Sequence, residues 1–236
     1  MTTRTARRAA ATRRSMEPVV QESTPSMIAS RVREAIASGH IAPGSQLGEA
    51  NLARELGVSR GPLREGLQRL TAEGLLISIR NRGLFVIEMT PERVQDMYLA
   101  RQAVERAAAE RIHDGDPVAA GGALMGVIEV MARARSARGE GVADIEFHQL
   151  LVSLAASPRL SRMHEILMTE TRMCIHALAD SYVHGDAVRV EEHTAIARSF
   201  LDRDARLTDE LLAAHMTDAV RRLTAGRSTA PPSSSA

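Results

Sequence analysis

The 236-residue chain has no tryptophan, no lysine, two tyrosines, three phenylalanines and a single cysteine. Each scarcity closes off a class of protein. The lone Cys174 cannot form an intramolecular disulfide, which excludes a disulfide-stapled scaffold. No apolar run reaches the length of about 18 residues that a membrane span needs. Phe85, Tyr98, Phe147, Tyr182 and Phe200 are the only aromatics, too few for a protein that stacks single-stranded bases on rings. The Arg-rich start of the chain has no apolar segment before Gln21-Glu22-Ser23-Thr24, so it lacks the middle of a secretory signal. A cytoplasmic location without a membrane partner is expected, with residues 1–24 as a disordered basic arm.

What is present is ordinary in bulk: 44% hydrophobic and 25% charged residues, in a length that allows one large domain or two small ones. The net charge of +1 hides an asymmetry. Residues 1–90 carry 13 Arg against 8 acids, whereas residues 91–236 carry 17 Arg against 21 acids. The first part is suited to a polyanion and the second is not. All the basic residues are Arg, which favours bidentate recognition of phosphate and guanine, although genomic base composition produces the same bias.

Ile28, Val32 and Ile36 recur at helical spacing, and Gly39 and Pro43-Gly44 end that pattern, giving a helix at about 26–38. Glu49 to Leu56 forms a short second helix closed by Gly57. A third starts behind Ser59 as N-cap and runs to Glu73. Leu75 to Ile79 and Leu84 to Ile87, separated by Arg80-Asn81-Arg82-Gly83, read as a β-hairpin. Three helices and a hairpin make a winged helix-turn-helix over residues 25–90. In that fold Ser59, Arg60 and Arg64 lie where the recognition helix meets the major groove, Arg60 and Arg64 sharing a face opposite Leu63, Leu67 and Leu70. Arg80 and Arg82 occupy the tip of the wing. Their bland alternative is that of solvated surface charges.

From the N-cap Thr90 and Pro91 onward the pattern is helical. Six helices are expected, at about 91–113, 116–138, 142–156, 158–180, 187–202 and 205–225, with short connections that favour an antiparallel bundle. Gly121, Gly122 and Gly126 leave the second of these either frayed at its start or packed unusually closely. The bundle domain spans residues 91–227, and residues 228–236 form a flexible tail. The fold class is therefore mainly α, a winged helix-turn-helix followed by an all-α antiparallel bundle.

Asp144 and His148 stand one helical turn apart. His193 and His215 flank the Asp202-Arg203-Asp204 turn at nearly equal distances, so an antiparallel hairpin sets them at one height. One carboxylate and three imidazoles can thus meet inside the bundle, as metal sites in bundles are built. The donor set suits Zn²⁺ first, with Ni²⁺, Fe²⁺ and Mn²⁺ as alternatives. Coincidence of packing is the competing explanation. His40, His113, His164, His176 and His184 show no such pattern and read as surface or packing residues.

Leu47-Gly48-Glu49, the stretch from Leu52-Ala53-Arg54-Glu55-Leu56-Gly57-Val58-Ser59-Arg60 to Gly61-Pro62-Leu63-Arg64-Glu65, and Leu70-Thr71-Ala72-Glu73-Gly74-Leu75-Leu76 resemble the DNA-binding domain of the GntR family of bacterial transcriptional regulators. The resemblance implies operator contacts by Arg60 and Arg64 and an assisting wing. Gly61 stands where the family usually has Thr, and Gly66 where it has Ala. Gly66 costs the recognition helix up to about 1 kcal/mol, and a pliable helix that orders on DNA is the expectation. Asp144 to His148, Ala156-Ser157-Pro158-Arg159-Leu160, Glu192-His193-Thr194-Ala195-Ile196 and His215 resemble the effector-binding and dimerisation domain, the FCD domain, of the FadR subfamily in its metal-binding branch. That resemblance implies a homodimer, a palindromic double-stranded operator and a small carboxylate effector held by the metal. It also implies an assisting arginine at Arg101, with Arg172 as a second candidate. Arg101 can equally pair with Glu105 one turn away. The expected function is a repressor controlled by a metal-bound organic acid. The alternatives are a metalloenzyme using Asp144 and the three histidines, and a DNA-binding regulator whose metal is purely structural. No His-Glu-x-x-His helix, Gly-x-Ser-x-Gly elbow or phosphate loop supports the enzyme.

Overall fold

The computed structural model describes residues 23–133, 137–177 and 186–225. The expected basic arm, the C-terminal tail and the last turn of the helix expected to reach residue 180 lie outside them. The described residues form nine helices and three short strands.

Helix α1 (Thr24–Ala37) is capped by Ser23, whose hydroxyl accepts the Ser26 N–H, and it buries Ile28, Ala29, Val32, Ile36 and Ala37. Strand β1 (Gln46–Leu47), α2 (Glu49–Leu56) and α3 (Arg60–Ala72) follow, then β2 (Leu76–Ile79) and β3 (Gly83–Val86). Gly57-Val58-Ser59 make the three-residue turn between α2 and α3. Ser59 is the N-cap of α3 by its extended backbone, but its hydroxyl makes no cap hydrogen bond. The sheet order is β1-β3-β2, antiparallel throughout, with Gln46 opposite Phe85 and Leu76 opposite Val86. The hairpin was expected. The two-residue β1 was not, because so short a strand shows no alternation.

Gly66 is buried, and its reason is packing. A β-carbon there would lie 2.9 Å from Ile28 Cγ2 and 2.9 Å from the Pro25 carbonyl oxygen. Helix α1 therefore rides directly on the recognition helix. Arg33 clamps Glu73 beyond the end of α3 with bonds of 2.8 Å and 3.2 Å, and Arg69 reaches Ser26 at 2.6 Å. The expected pliability gives way to a tight two-helix contact.

The bundle comprises α4 (Pro91–His113), α5 (Pro117–Arg133), α6 (Ala137–Leu154), α7 (Pro158–Ala177), α8 (Asp186–Leu201) and α9 (Ala205–Thr224). Thr90 caps α4 as expected, accepting the Arg93 N–H at 3.3 Å. Helix α4 packs on α9, α5 on α8, and α6 and α7 on each other and on α4. Gly121 answers the question left open for α5: a β-carbon there would lie 2.9 Å from the Ala197 carbonyl of α8. Two apolar cores result. One joins α1, α3 and the sheet to Val94, Met97 and Tyr98 of α4, Met173 and Cys174 of α7, and Met216 and Leu223 of α9. The other fills the far part of the bundle around Leu124, Phe147, Leu151, Phe200 and Leu212. Among the described residues no helix is long and apolar enough to cross a membrane.

Gly66→Ala gains helix propensity but forces α1 away from α3, and overpacking outweighs propensity. We expect a net loss on the order of 1 kcal/mol in chemical denaturation. An unchanged or raised midpoint would refute the packing role of this glycine.

Candidate functional site

The four residues singled out by spacing meet inside the bundle. Asp144 and His148 project from α6, His193 from α8 and His215 from α9, all buried, with one ligand atom of each lying within 4.8 Å of the others. His148 Nε2 lies 3.2 Å from His215 Nε2 and 3.4 Å from His193 Nε2, and His193 Nε2 lies 3.3 Å from Asp144 Oδ1. Donors about 2.1 Å from one ion stand about 3.0 Å apart at a right angle and about 3.4 Å apart at the tetrahedral angle. These three separations fall in that interval, and all four donors lie within 4.8 Å of one another.

The outer ring nitrogens explain why the inner ones converge. His148 Nδ1 lies 2.7 Å from Glu105 Oε2, His215 Nδ1 2.8 Å from Glu192 Oε2, and His193 Nδ1 2.7 Å from the Arg189 carbonyl. Each partner is an acceptor, so each Nδ1 carries a proton and donates. This directs the Nε2 atoms inward and fixes the tautomer that a metal ligand needs. Burial lowers the His148 pKa to about 4, and the Arg101 charge works in the same direction against Glu105 and Asp144. Burial also lowers His215. Both shifts favour neutral imidazoles with inward lone pairs at His148 and His215. Burial would raise Asp144, but the His193 hydrogen bond and the surrounding imidazoles outweigh it and hold the carboxyl well below its usual range. One carboxylate oxygen and three inward-facing imidazole nitrogens give the centre donors with the chemistry to hold a metal ion.

Three further residues, missed by spacing, build the surroundings. Glu105 of α4 is fully buried. It accepts from His148, from His164 Nε2 at 3.0 Å and from Arg101 Nε at 3.2 Å. Burial would raise its pKa, but His148 and Arg101 hold it well below the ordinary range. His164 of α7, read as a packing residue, is therefore a buried partner of the same carboxylate. Glu192 accepts from His215 and from both terminal nitrogens of Arg222, at 3.0 and 2.9 Å. These bonds outweigh burial and lower it to about 2. Glu105 had a signal in the sequence as the residue one turn from Arg101, and Glu192 as the neighbour of His193 in the motif Glu192-His193-Thr194-Ala195-Ile196, though neither pointed to its role; His164 had none.

Of the two readings offered for Arg101, the geometry shows the pairing with Glu105. Its Nη1 reaches Thr171 Oγ1 at 3.5 Å. Its Nη2 stands 3.1 Å from Glu105 Oε1, yet out of line for a hydrogen bond. That makes it the single buried side-chain polar atom without a hydrogen-bond partner among the described residues. Tyr98 stacks on the guanidinium, 4.8 Å from ring centroid to carbon. Arg172 points elsewhere, 3.8 Å from Glu34 of α1.

At the other end of the molecule Ser59, Arg60, Arg64, Arg80 and Arg82 are all exposed. Arg64 Nε donates to Glu49 Oε2 across the two helices of the motif at 2.8 Å. Asn81 and Gly83 take positive φ at the hairpin tip, holding Arg80 and Arg82 outward, the latter over the Phe85 ring at 5.4 Å.

A small winged helix-turn-helix joined to a helical bundle is the architecture of a DNA-binding transcriptional regulator, and comparison with known proteins agrees. The family model described as bacterial regulatory proteins, gntR family, matches residues 24–86, and that of the FCD domain matches residues 96–218. The chain belongs to the GntR family of DNA-binding transcriptional regulators, with a C-terminal FCD domain. It is 34% identical over 53% of its length to an uncharacterized HTH-type regulator of Agrobacterium vitis, covering 77% of that protein. It is 28% identical over 85% of its length to the "Probable D-xylose utilization operon transcriptional repressor" of Paenarthrobacter nicotinovorans, covering 91% of it. Two other curated regulators match over only 34% and 35% of their own length. A crystal structure of a GntR regulator from Rhodococcus sp. RHA1 superposes with a TM-score of 0.71 at 27% identity, covering 87% of this chain and 99% of that one.

Replacing Glu105 with Ala strands a buried guanidinium and frees two imidazoles. Stability is expected to fall by about 3–5 kcal/mol in urea unfolding. A loss below about 1 kcal/mol, as for an exposed ion pair, would show that Glu105 does not anchor the bundle.

Proposed function

We propose that this regulator is a repressor whose operator affinity is controlled by a small organic acid bound at a metal ion in the bundle. The convergence of three Nε2 atoms and one carboxylate oxygen, each imidazole backed by an acceptor, carries the reading. Asp144, His148, His193 and His215 would hold the ion, Zn²⁺ in the first instance. Bound there, it would supply a Lewis-acidic charge for a carboxylate. With four protein donors already in place, an added ligand requires coordination above four. Arg101 supplies the second half of an acid's binding site: a buried cation with one donor unspent.

The winged unit of residues 25–90 would read the operator through Ser59, Arg60 and Arg64, with Arg80 and Arg82 on the backbone or minor groove. The bundle of residues 91–227 would bring two copies together, so that a two-fold protein meets a palindromic site. The effector would alter affinity by binding unequally to the DNA-competent and DNA-incompetent arrangements. Repression is supported by the relatives, which include gluconate operon repressors from two Bacillus species.

The closed character of a four-ligand site favours a second reading, in which the metal only ties α6, α8 and α9 together. An organic-acid panel on zinc-loaded protein separates the two. Under the regulatory reading at least one acid shifts operator affinity, and Arg101→Ala abolishes that response while keeping the zinc. A flat response across the panel supports the structural ion.

Two mutations test the parts separately. His148→Ala should lower zinc affinity by more than about 100-fold in calorimetric titration, and Glu105→Gln by about 10–100-fold through the lost support of His148. Full zinc stoichiometry and unchanged affinity in His148→Ala would remove the metal from the account. Arg60→Ala should cost about 1–3 kcal/mol of operator affinity and relax specificity at one base pair per half-site. Equal discrimination in variant and parent would show that Arg60 does not read a base.

A further inference from the structure

We propose that α7 couples the bundle centre to the recognition helix, with Arg172 and His176 as its points of contact on α1. This rests on the regulatory reading above and adds the route by which the site reaches the DNA. Helices α4 and α9 also reach the shared core, but α7 touches the outer shell of the centre at one end and at the other is the bundle helix that packs on α1. At the first end, His164 donates to Glu105 at 3.0 Å and Thr171 receives Arg101 at 3.5 Å. Glu105 is also the acceptor that orients His148. At the second end, Met173 and Cys174 are buried in the core shared with α1, α3 and the sheet. Arg172 lies 3.8 Å from Glu34 of α1. The His176 ring sits on Gly39, just past the end of α1, so closely that a β-carbon there would lie 2.6 Å from its Cε1.

From His164 to His176 is twelve residues, about 18 Å of continuous helix, which moves as a stiff body. Past α1 the connection tightens. Arg33 to Glu73, Arg69 to Ser26 and the bare Gly66 against Ile28 bind α1 to α3. A shift of α7 against α1 therefore carries the exposed Arg60 and Arg64 with it.

The bundle end has room to respond. Arg101 Nη2 makes no hydrogen bond although it lies 3.1 Å from Glu105 Oε1, and the bond from Nη1 to Thr171 is at the outer limit of length. His148 shares the Glu105 carboxylate with Arg101 and His164, so a charge held by the imidazoles would be felt at all three. The far end is free to follow. The Arg172 to Glu34 pair is partly exposed and long, and contacts of that kind hold weakly enough to be rearranged.

Hydrogen exchange on the full chain tests this without knowledge of effector or operator, using Zn²⁺ alone as the probe. In the parent protein, zinc should slow exchange in α6, α8 and α9, and change it by at least about threefold in α7 and α1 as well. His176→Ala, and separately Arg172→Ala, should keep zinc affinity and the bundle protection while erasing the response of α1. Zinc that binds and protects the bundle but leaves α1 unchanged in the parent overturns the coupling and spares the site. An α1 response that persists in both variants overturns the role of these contacts. Protein that takes up no zinc overturns the site reading and the coupling together. Should His176→Ala prove unstable, Arg172→Ala, whose side chain is partly exposed, decides the matter.

Discussion

The bundle is organised around one buried carboxylate. Glu105 has no access to solvent, and an ionised carboxylate so placed is tenable only if cations and N–H donors surround it. Arg101 comes from its own helix, His148 from α6 and His164 from α7. The requirement of that single charge thereby sets three helices in register. It also sets the tautomer of His148, and so the direction of a lone pair on the far side of the ring. Fold and site share the same interaction, and a change that disturbs one disturbs the other.

Periodicity and punctuation carried the architecture a long way. Six bundle helices were placed within five residues of their observed ends, the break expected at 139–141 falling inside α6, and the Thr90 cap and the three-residue turn at Gly57 to Ser59 were legible as local signals. The Asp144 and His148 pair was legible for the same reason, since spacing on one helix is a local property. His193 and His215 were legible because a tight turn converts sequence distance into height. The roles of Glu192 as the acceptor for His215 and of His164 as a partner of Glu105 were not, because those relations exist only once helices from distant parts of the chain pack. Arg172 illustrates the converse. Helix α7 has neighbours on more than one side, and its sequence does not say which side faces the centre. Gly66 misled for a related reason: a helix-breaking residue signals either looseness or proximity, and only the position of α1 decides between them.

The two apolar cores divide the chain differently from its two family domains. The core around α1 and α3 extends into α4, α7 and α9, so the winged unit is seated on the bundle. The second core lies wholly within the bundle. The buried Asp/His cluster draws on helices of both cores, a position from which local repolarisation reaches shared packing.

The exposed cations proposed to contact DNA are all guanidinium groups, Arg60, Arg64, Arg80 and Arg82. Guanidinium keeps its proton to pH values above about 12, and it is not a substrate for the acylation that neutralises lysine amines. The DNA-facing charge is therefore constant across any alkalinity a cell meets and beyond the reach of acetyl transfer. What remains to modulate the attraction is the salt around the phosphates and the arrangement of these arginines in space, which places the burden of regulation on geometry.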